Sequence, residues 1–210
     1  VNYEGETSID GVPGTAAPVP LYFSGLAGSK CGAMLPTGNA VDEIDGLACT
    51  LIDNGMPTIV MAASDFGLTG DEPPEALDAN TALKARIETV RLAAGPMMNL
   101  GDVSSQSVPK VCLISVPGNG GTIRTRCFIP HDCHPTIGVL CAVSIATSCL
   151  LEEGPARSIA NVQDGGELSM EIEHPCGKLP IMLRCDIAGE VVEAGAVRTA
   201  RKLSDGVVFA

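Results

Sequence analysis

Phe128-Ile-Pro-His-Asp-Cys-His-Pro-Thr-Ile-Gly138-Val-Leu-Cys-Ala-Val-Ser-Ile-Ala-Thr-Ser-Cys-Leu-Leu151 carries the strongest fold signal and the densest chemistry of this chain. From Gly138 onward the run lacks a polar face; its polar members are small ones, Ser144, Thr147 and Ser148. A helix apolar all round belongs inside a core rather than on a surface. Pro135 suits the first position of a helix, where its missing N–H costs nothing. The expectation is a buried helix opening at Pro135, with His131, Cys133 and His134 crowded at its N-terminus. Free N–H groups there favour an anion such as a carboxylate. Proton transfer on an acidic substrate needs that combination of titratable groups and donors.

On both sides of this helix the chain reads mostly as strands. Lys110 to Val116 and Thr122 to Ile129 are joined by the Gly118-Asn119-Gly120-Gly121 turn, and Leu168 to Glu173 and Ile181 to Ala188 flank His174-Pro175-Cys176-Gly177. Glu190 to Val197 adds a further strand before a basic run at Arg198, Arg201 and Lys202, which reads as a solvated helix end. Upstream, Leu47 to Ile52 and Thr58 to Ala62 make a hairpin over Asp53-Asn54-Gly55-Met56-Pro57, because Asn-Gly tolerates positive φ. Val19 to Phe23 follows the Gly/Pro-rich turn at Asp10 to Gly14. A second helix is expected over 78–94: Leu83, Ile87, Val90 and Ala94 share one face, and Lys84, Glu88 and Arg91 line a polar one. Asp78 or Asn80 can cap its start, and Gly95-Pro96 is expected to stop it. With no repeat and no linker, many strands and two helices imply an α+β fold: a β-roll, or curved sheet, wrapped around a central buried helix.

Composition narrows the class. The 210 residues are 45% hydrophobic but hold no Trp, two Tyr and four Phe, so the core must be aliphatic. With 13 Lys and Arg against 25 Asp and Glu, the net charge is −12 and no basic stripe is visible. Nucleic acid is excluded as a partner on that basis, and an anionic substrate must be held by local donors. Nine cysteines is an odd number, no CxxC pair occurs, and Cys112, Cys141, Cys149 and Cys185 sit in apolar runs. They read as small buried hydrophobes in a reducing, cytoplasmic compartment. The longest apolar run is shorter than the roughly 20 residues that span a bilayer, so no membrane partner is expected.

Each candidate site admits two readings. His131, Cys133 and His134 are either an acid/base cluster or a capped helix start with a buried thiol; a metal there lacks a second Cys/His cluster to complete it. Asn54 sits in a hairpin turn whose N–H groups can also form a carboxylate nest. Gly28-Ser29-Lys30, followed by Pro36-Thr37-Gly38-Asn39, supplies hydroxyls and one cation but lacks the spacing of a phosphate loop. His174 in its turn reads as structural, and Met97-Met98-Asn99 as core filler plus a cap.

Six segments taken in order resemble the methylaconitate isomerase family, which shares the diaminopimelate-epimerase-like fold: 10–15, 35–39, 52–57, 67–72, 173–177 and 198–201. Within it, Phe128 to Gly138 and Arg91 to Asp102 are most like its tautomerases. The resemblance implies cofactor-independent movement of a proton in an unsaturated di- or tricarboxylate, 4-oxalomesaconate foremost. It implies that residues 1–210 are a single domain, the C-terminal half of a two-domain enzyme, with 190–210 a tail packing toward a missing N-terminal half. That half, in the family, brings a catalytic lysine and cysteine. An inactive structural half is the alternative, an epimerase with two facing thiols a third reading, and a homo-oligomer is left open. By position, His134 matches the family's histidine at the start of the second central helix. The resulting candidate set is His134 as the catalytic residue, with Cys133, Thr136, Asn54 and Ser29 on the substrate, no metal and no cofactor.

Overall fold

The computed structural model describes residues 2–162 and 167–207. Its strands are β1 (Thr7–Ile9), β2 (Val12–Ala16), β3 (Pro18–Ser24), β4 (Asp42–Ile44), β5 (Leu47–Asp53), β6 (Pro57–Ala62), β7 (Lys110–Ser115), β8 (Ile123–Phe128), β9 (Glu167–His174), β10 (Gly177–Cys185) and β11 (Val191–Thr199). Its helices are α1 (Pro74–Ala79), α2 (Thr81–Met97), α3 (Val139–Ser148) and α4 (Pro155–Ile159). β1 and β2 pair as a small hairpin; the other nine strands form one sheet in the order β3-β11-β10-β9-β8-β7-β6-β5-β4. Only β6–β7 and β8–β9 are parallel pairs. Each is bridged by helices, as a parallel connection requires.

The two crossovers take opposite faces of the sheet. Ile52, Val60, Cys112, Ile114, Ile123 and Cys127 pack with α3 in an inner cluster, which Met170, Ile172, Ile181, Leu183 and Ala196 close from the other side. Leu51, Ile59, Met61, Val111, Leu113 and Phe128, the alternate residues of the same strands, pack with α1 and α2 in an outer cluster. Side chains alternate across a strand, so β5 to β7 are buried on both faces, which is why they read as largely hydrophobic runs, whereas β8 carries Arg124, Thr125 and Arg126. The sheet curls around α3, which touches β5, β6, β9, β10 and β11. The expected α+β roll around a buried central helix is the fold observed.

Several local expectations change. The central helix opens at Val139, not Pro135, because the backbone of 133–136 is already committed. The His134 N–H donates to the Cys127 carbonyl, and Phe128 and Cys133 form a bridge, so this loop returns along the edge of β8. The second helix runs through Gly95-Pro96 to Met97 rather than stopping there. Pro96 forfeits one bond to the Leu92 carbonyl, on the exposed face where water can take it, and Asn99 at φ 59° ends the helix. Gly95 is required by packing: a Cβ would lie 2.7 Å from Val103. Arg91, expected on a polar face, is fully buried. It pairs with Glu88 and donates to the carbonyls of Val103, Gln106 and Val108, holding the loop before β7.

The β9–β10 hairpin turns on Pro175 and Cys176 alone, since His174 pairs with Gly177. Arg198, expected at a helix end, lies on β11. The expected tail over 190–210 is sheet from Val191 to Thr199, paired with β10 and β3. Four α-helices are described rather than two; α4 and the strands β1, β2 and β4 are too short to announce themselves by periodicity. No helix among the described residues is long and apolar enough to cross a membrane.

Candidate active site at the start of the central helix

Three chain reversals meet where α3 begins. The first is the loop 129–138 that returns along β8. The second is the Asp10–Gly11 turn between β1 and β2. A Cβ on Gly11 would sit 2.9 Å from Thr136 Cγ2 and 3.6 Å from Cys176 Cβ, so only glycine, here at φ 82°, lets this turn enter. The third is the Pro175–Cys176 turn, tied to the first hairpin by the Lys178 N–H, which donates to Asp10 Oδ2 at 2.8 Å. On the opposite flank a Cβ on Gly55 would approach Leu140 at 3.2 Å and Leu26 at 3.3 Å, which places the β5–β6 turn against the first turn of α3.

The helix start itself is uncapped. Gly138 occupies the N-cap in an extended conformation without a side chain to offer, and the first bond of the helix runs from Ala142 to the Gly138 carbonyl. The N–H groups of Val139, Leu140 and Cys141 precede that bond and point out of the helix end. In a protein of net charge −12 they are a local concentration of donors with the positive end of the helix dipole behind them.

His134 lies on the loop that leads into the helix, half-buried and in a defined tautomer. The Thr136 backbone N–H donates to His134 Nδ1 at 2.9 Å, and Thr136 Oγ1 lies 3.1 Å from the same atom. A backbone N–H can only donate, so Nδ1 is an acceptor and the ring proton of the neutral imidazole resides on Nε2. His134 thus offers an N–H, not a lone pair, with its far nitrogen. A neutral imidazole in that form can polarise a carbonyl or stabilise an oxyanion.

The other candidate residues fall in different environments. Cys133 lies in the outer cluster, 5% exposed, its N–H bonded to Asp78 Oδ1, and burial pushes its thiol up to about 12. Asn54 is buried: its N–H donates to Ser144 Oγ, and its amide donates to Thr147 Oγ1 at 2.8 Å, pinning the β5–β6 turn to α3. Ser29 is exposed on a loop held by Asp53, whose Oδ2 accepts the N–H groups of Lys30 and Cys31 and whose carbonyl accepts that of Gly28. His131 is exposed, 3.6 Å from Glu88, away from the helix start. The structure therefore gathers His134 and Thr136 at the helix, sets Ser29 on the flanking loop, and gives Cys133 and Asn54 packing and anchoring contacts.

Two features escaped the sequence. Asp53 is fully buried, so its turn is an anchor for the 28–34 loop as much as a hairpin. Asp10 joins the helix start from 124 residues upstream of His134, a proximity that no local pattern announces. Beneath the site Cys127 and Cys141 lie with their sulfurs 3.4 Å apart in the core, so they do not face one another across a cleft. Of that pair Cys141 gives up its proton more readily, because the Cys112 and Cys127 thiols and the Thr58 hydroxyl can donate to it, while Cys127 is pushed up. Among the described residues no set of three or more His, Cys, Asp or Glu side chains is placed to hold a metal.

A family model described as PrpF protein matches residues 1–210. The chain is 56% identical to a (4E)-oxalomesaconate Delta-isomerase from a Novosphingobium species, aligned over 100% of this chain and 58% of that protein. It is 51% identical to a 4-oxalomesaconate tautomerase from Pseudomonas putida, over 99% of this chain and 57% of the relative. The fold superposes on the crystal structure of a methylitaconate-delta-isomerase with a TM-score of 0.89 at 25% identity, covering 99% of this chain and 59% of that one. The chain thus spans between 57% and 59% of the length of these relatives.

Proposed function

The chain belongs to the PrpF protein family, and from that premise we propose that it contributes the start of α3 to an isomerase site that moves a proton within an unsaturated polycarboxylate, with 4-oxalomesaconate the first candidate. The names carried by its relatives support the substrate class. The geometry supports the division of labour: a carboxylate of the substrate sits on the N–H groups of Val139, Leu140 and Cys141, and His134 Nε2–H faces the reacting oxygen. Thr136 lines the site and orients His134, and Ser29 reaches the substrate from the flanking loop.

The chemical difficulty is charge. When a C–H bond next to a carbonyl breaks, its electron pair moves into an enolate whose negative charge rests on oxygen. The proton passes to a base, for which the lysine and cysteine that the family resemblance places in the N-terminal half are the candidates, and returns either to that oxygen, giving the enol, or to a carbon further along the unsaturated chain. A fixed N–H donor aimed at the oxygen stabilises the enolate, and loss of one such donor costs about 10²–10³ in kcat. His134 in its Nε2–H form fits that donor role. Neither step calls for a cofactor. Free cysteines buried as core residues support a reducing, cytoplasmic setting.

The observation that carries this reading is the Thr136 N–H on His134 Nδ1 beside an uncapped helix start. Its test is His134→Ala in the natural protein, assayed for 4-oxalomesaconate tautomerisation. The expected result is a fall in kcat of about 10²–10³. Turnover equal to that of the unaltered protein would remove His134 from the mechanism.

A further inference from the structure

We propose that His174 is a positioning residue for His134, a second imidazole that fixes the place and the tautomer of the first; this rests on the reading of the α3 site given above. Leu168, Met170 and Ile172 of β9 alternate onto the inner face of the roll and pack in its core. His174 is the next residue of that stripe, at the last position of the strand, where an apolar side chain would continue the pattern. It is 7% exposed, and its Nδ1 has no hydrogen-bond partner among the described residues. Buried polar atoms are nearly always paired, so an unpaired one on a core-facing stripe calls for an explanation.

The sheet supplies it. β9 pairs with β8 in parallel at only Ile123–Ile172 and Arg124–Glu173, and then leaves that edge. Beyond the point of departure the same edge of β8 is taken by the returning loop: Cys133 bridges Phe128, and the His134 N–H bonds the Cys127 carbonyl. The end of β9 and the start of the returning segment therefore share one edge of one strand, and each carries a histidine. The Asp10–Gly11 turn closes over this junction, touching Thr136 and Cys176 through Gly11 and bonding the Lys178 N–H through Asp10.

The groups that act on His174 are Asp10 from that turn, His134 from the loop, Arg126 from β8 and the backbone of Lys178 from β10. Burial holds His174 below the ordinary histidine range, and His134 and Arg126 act in the same direction against Asp10 and the Lys178 backbone. A ring that stays neutral there keeps a second positive charge away from the helix start. Packed at the shared edge of β8, it is placed to limit the orientations open to the His134 ring.

The test uses the natural protein with His174→Phe and His174→Gln, and His134→Ala as a control. Two readouts are taken: kcat and KM for 4-oxalomesaconate across pH 5.5 to 8.5, and imidazole ¹⁵N–¹H NMR of His134. The expected result for His174→Phe is a roughly tenfold or greater loss in kcat, an unchanged KM and a displaced acidic limb. In the NMR spectrum the His134 ring should lose its single Nε2–H tautomer. His174→Gln, which keeps a polar group, should recover part of the loss. An unaltered pH profile and an unaltered His134 spectrum in His174→Phe would overturn the proposal. Should His174→Phe fail to fold, the same spectrum of His174→Gln decides: His134 signals identical to those of the unaltered protein refute it. If His134→Ala is fully active, it is the function proposed above that fails, while the NMR readout still judges the coupling of the two rings.

Discussion

Thr136 places its backbone N–H 2.9 Å from His134 Nδ1, and two residues apart on a returning loop they settle which nitrogen of the imidazole keeps the proton. The bond is made by the main chain, so it survives any side chain at 136 that leaves the loop in place. Thr136→Ala in the natural protein should therefore hold kcat for 4-oxalomesaconate within about threefold, whereas loss of the His134 donor costs about 10²–10³. A loss in Thr136→Ala as deep as that in His134→Ala would show the hydroxyl, not the N–H, to be the working group.

Gly11 carries the entrance turn at φ 82°, and a Cβ there would meet Thr136 at 2.9 Å. Gly11→Ala should destabilise the fold by about 1–2 kcal/mol from backbone strain alone. It should also lower turnover by pushing Thr136 away from His134. Urea unfolding and steady-state kinetics on the same preparation check both effects. Gly14, also at positive φ but with nothing near its Cβ, is the matched control: Gly14→Ala should bring strain without loss of turnover.

Arg91 is the largest fully buried side chain, bonded to Glu88 and to three backbone carbonyls of the 103–108 loop. Arg91→Met keeps much of the volume and removes every donor, leaving Glu88 with His131 alone, 3.6 Å away, and those carbonyls without the guanidinium. Breaking a buried pair on one side typically costs about 3–5 kcal/mol. The expected thermal midpoint falls accordingly, and an unchanged midpoint would mean that water replaces the guanidinium.

Acid should weaken the fold in two stages. His174 is held below its ordinary value of 6.5 by burial, so the unfolded chain binds a proton that the folded one refuses. Stability is then full above that pH and declines as pH falls through it. Glu173 follows lower down. Although burial raises it, the N–H groups of Gly118, Gly121 and Asn119 and the Arg124 side chain outweigh that and hold it below its ordinary 4.5. Its contribution is present above 4.5 and is lost on further acidification. Urea midpoints from pH 8 to pH 3 should fall in both windows, and His174→Phe should flatten the first while sparing the second.

What the sequence alone determined was everything that repeats at short range. The alternation in β9, the doubly buried runs of β5 to β7, the Asn54-Gly55 turn and the all-apolar α3 are local patterns, and period and composition suffice to read them. Together with the order of its motifs they carried the α+β roll and made His134 a candidate. What only the tertiary structure decided was where backbone and charge are spent. Pro135 has the look of a helix start, but the edge of β8 claims the N–H of His134 and delays the helix to Val139. Arg91 has the look of a surface residue until the 103–108 loop presents its carbonyls. His134, Asp10 and His174 come from three distant segments, and their meeting depends on β9 leaving β8 after Arg124. Such partners are fixed by sheet order and by competition for one strand edge, and neither quantity exists in any short window of the chain.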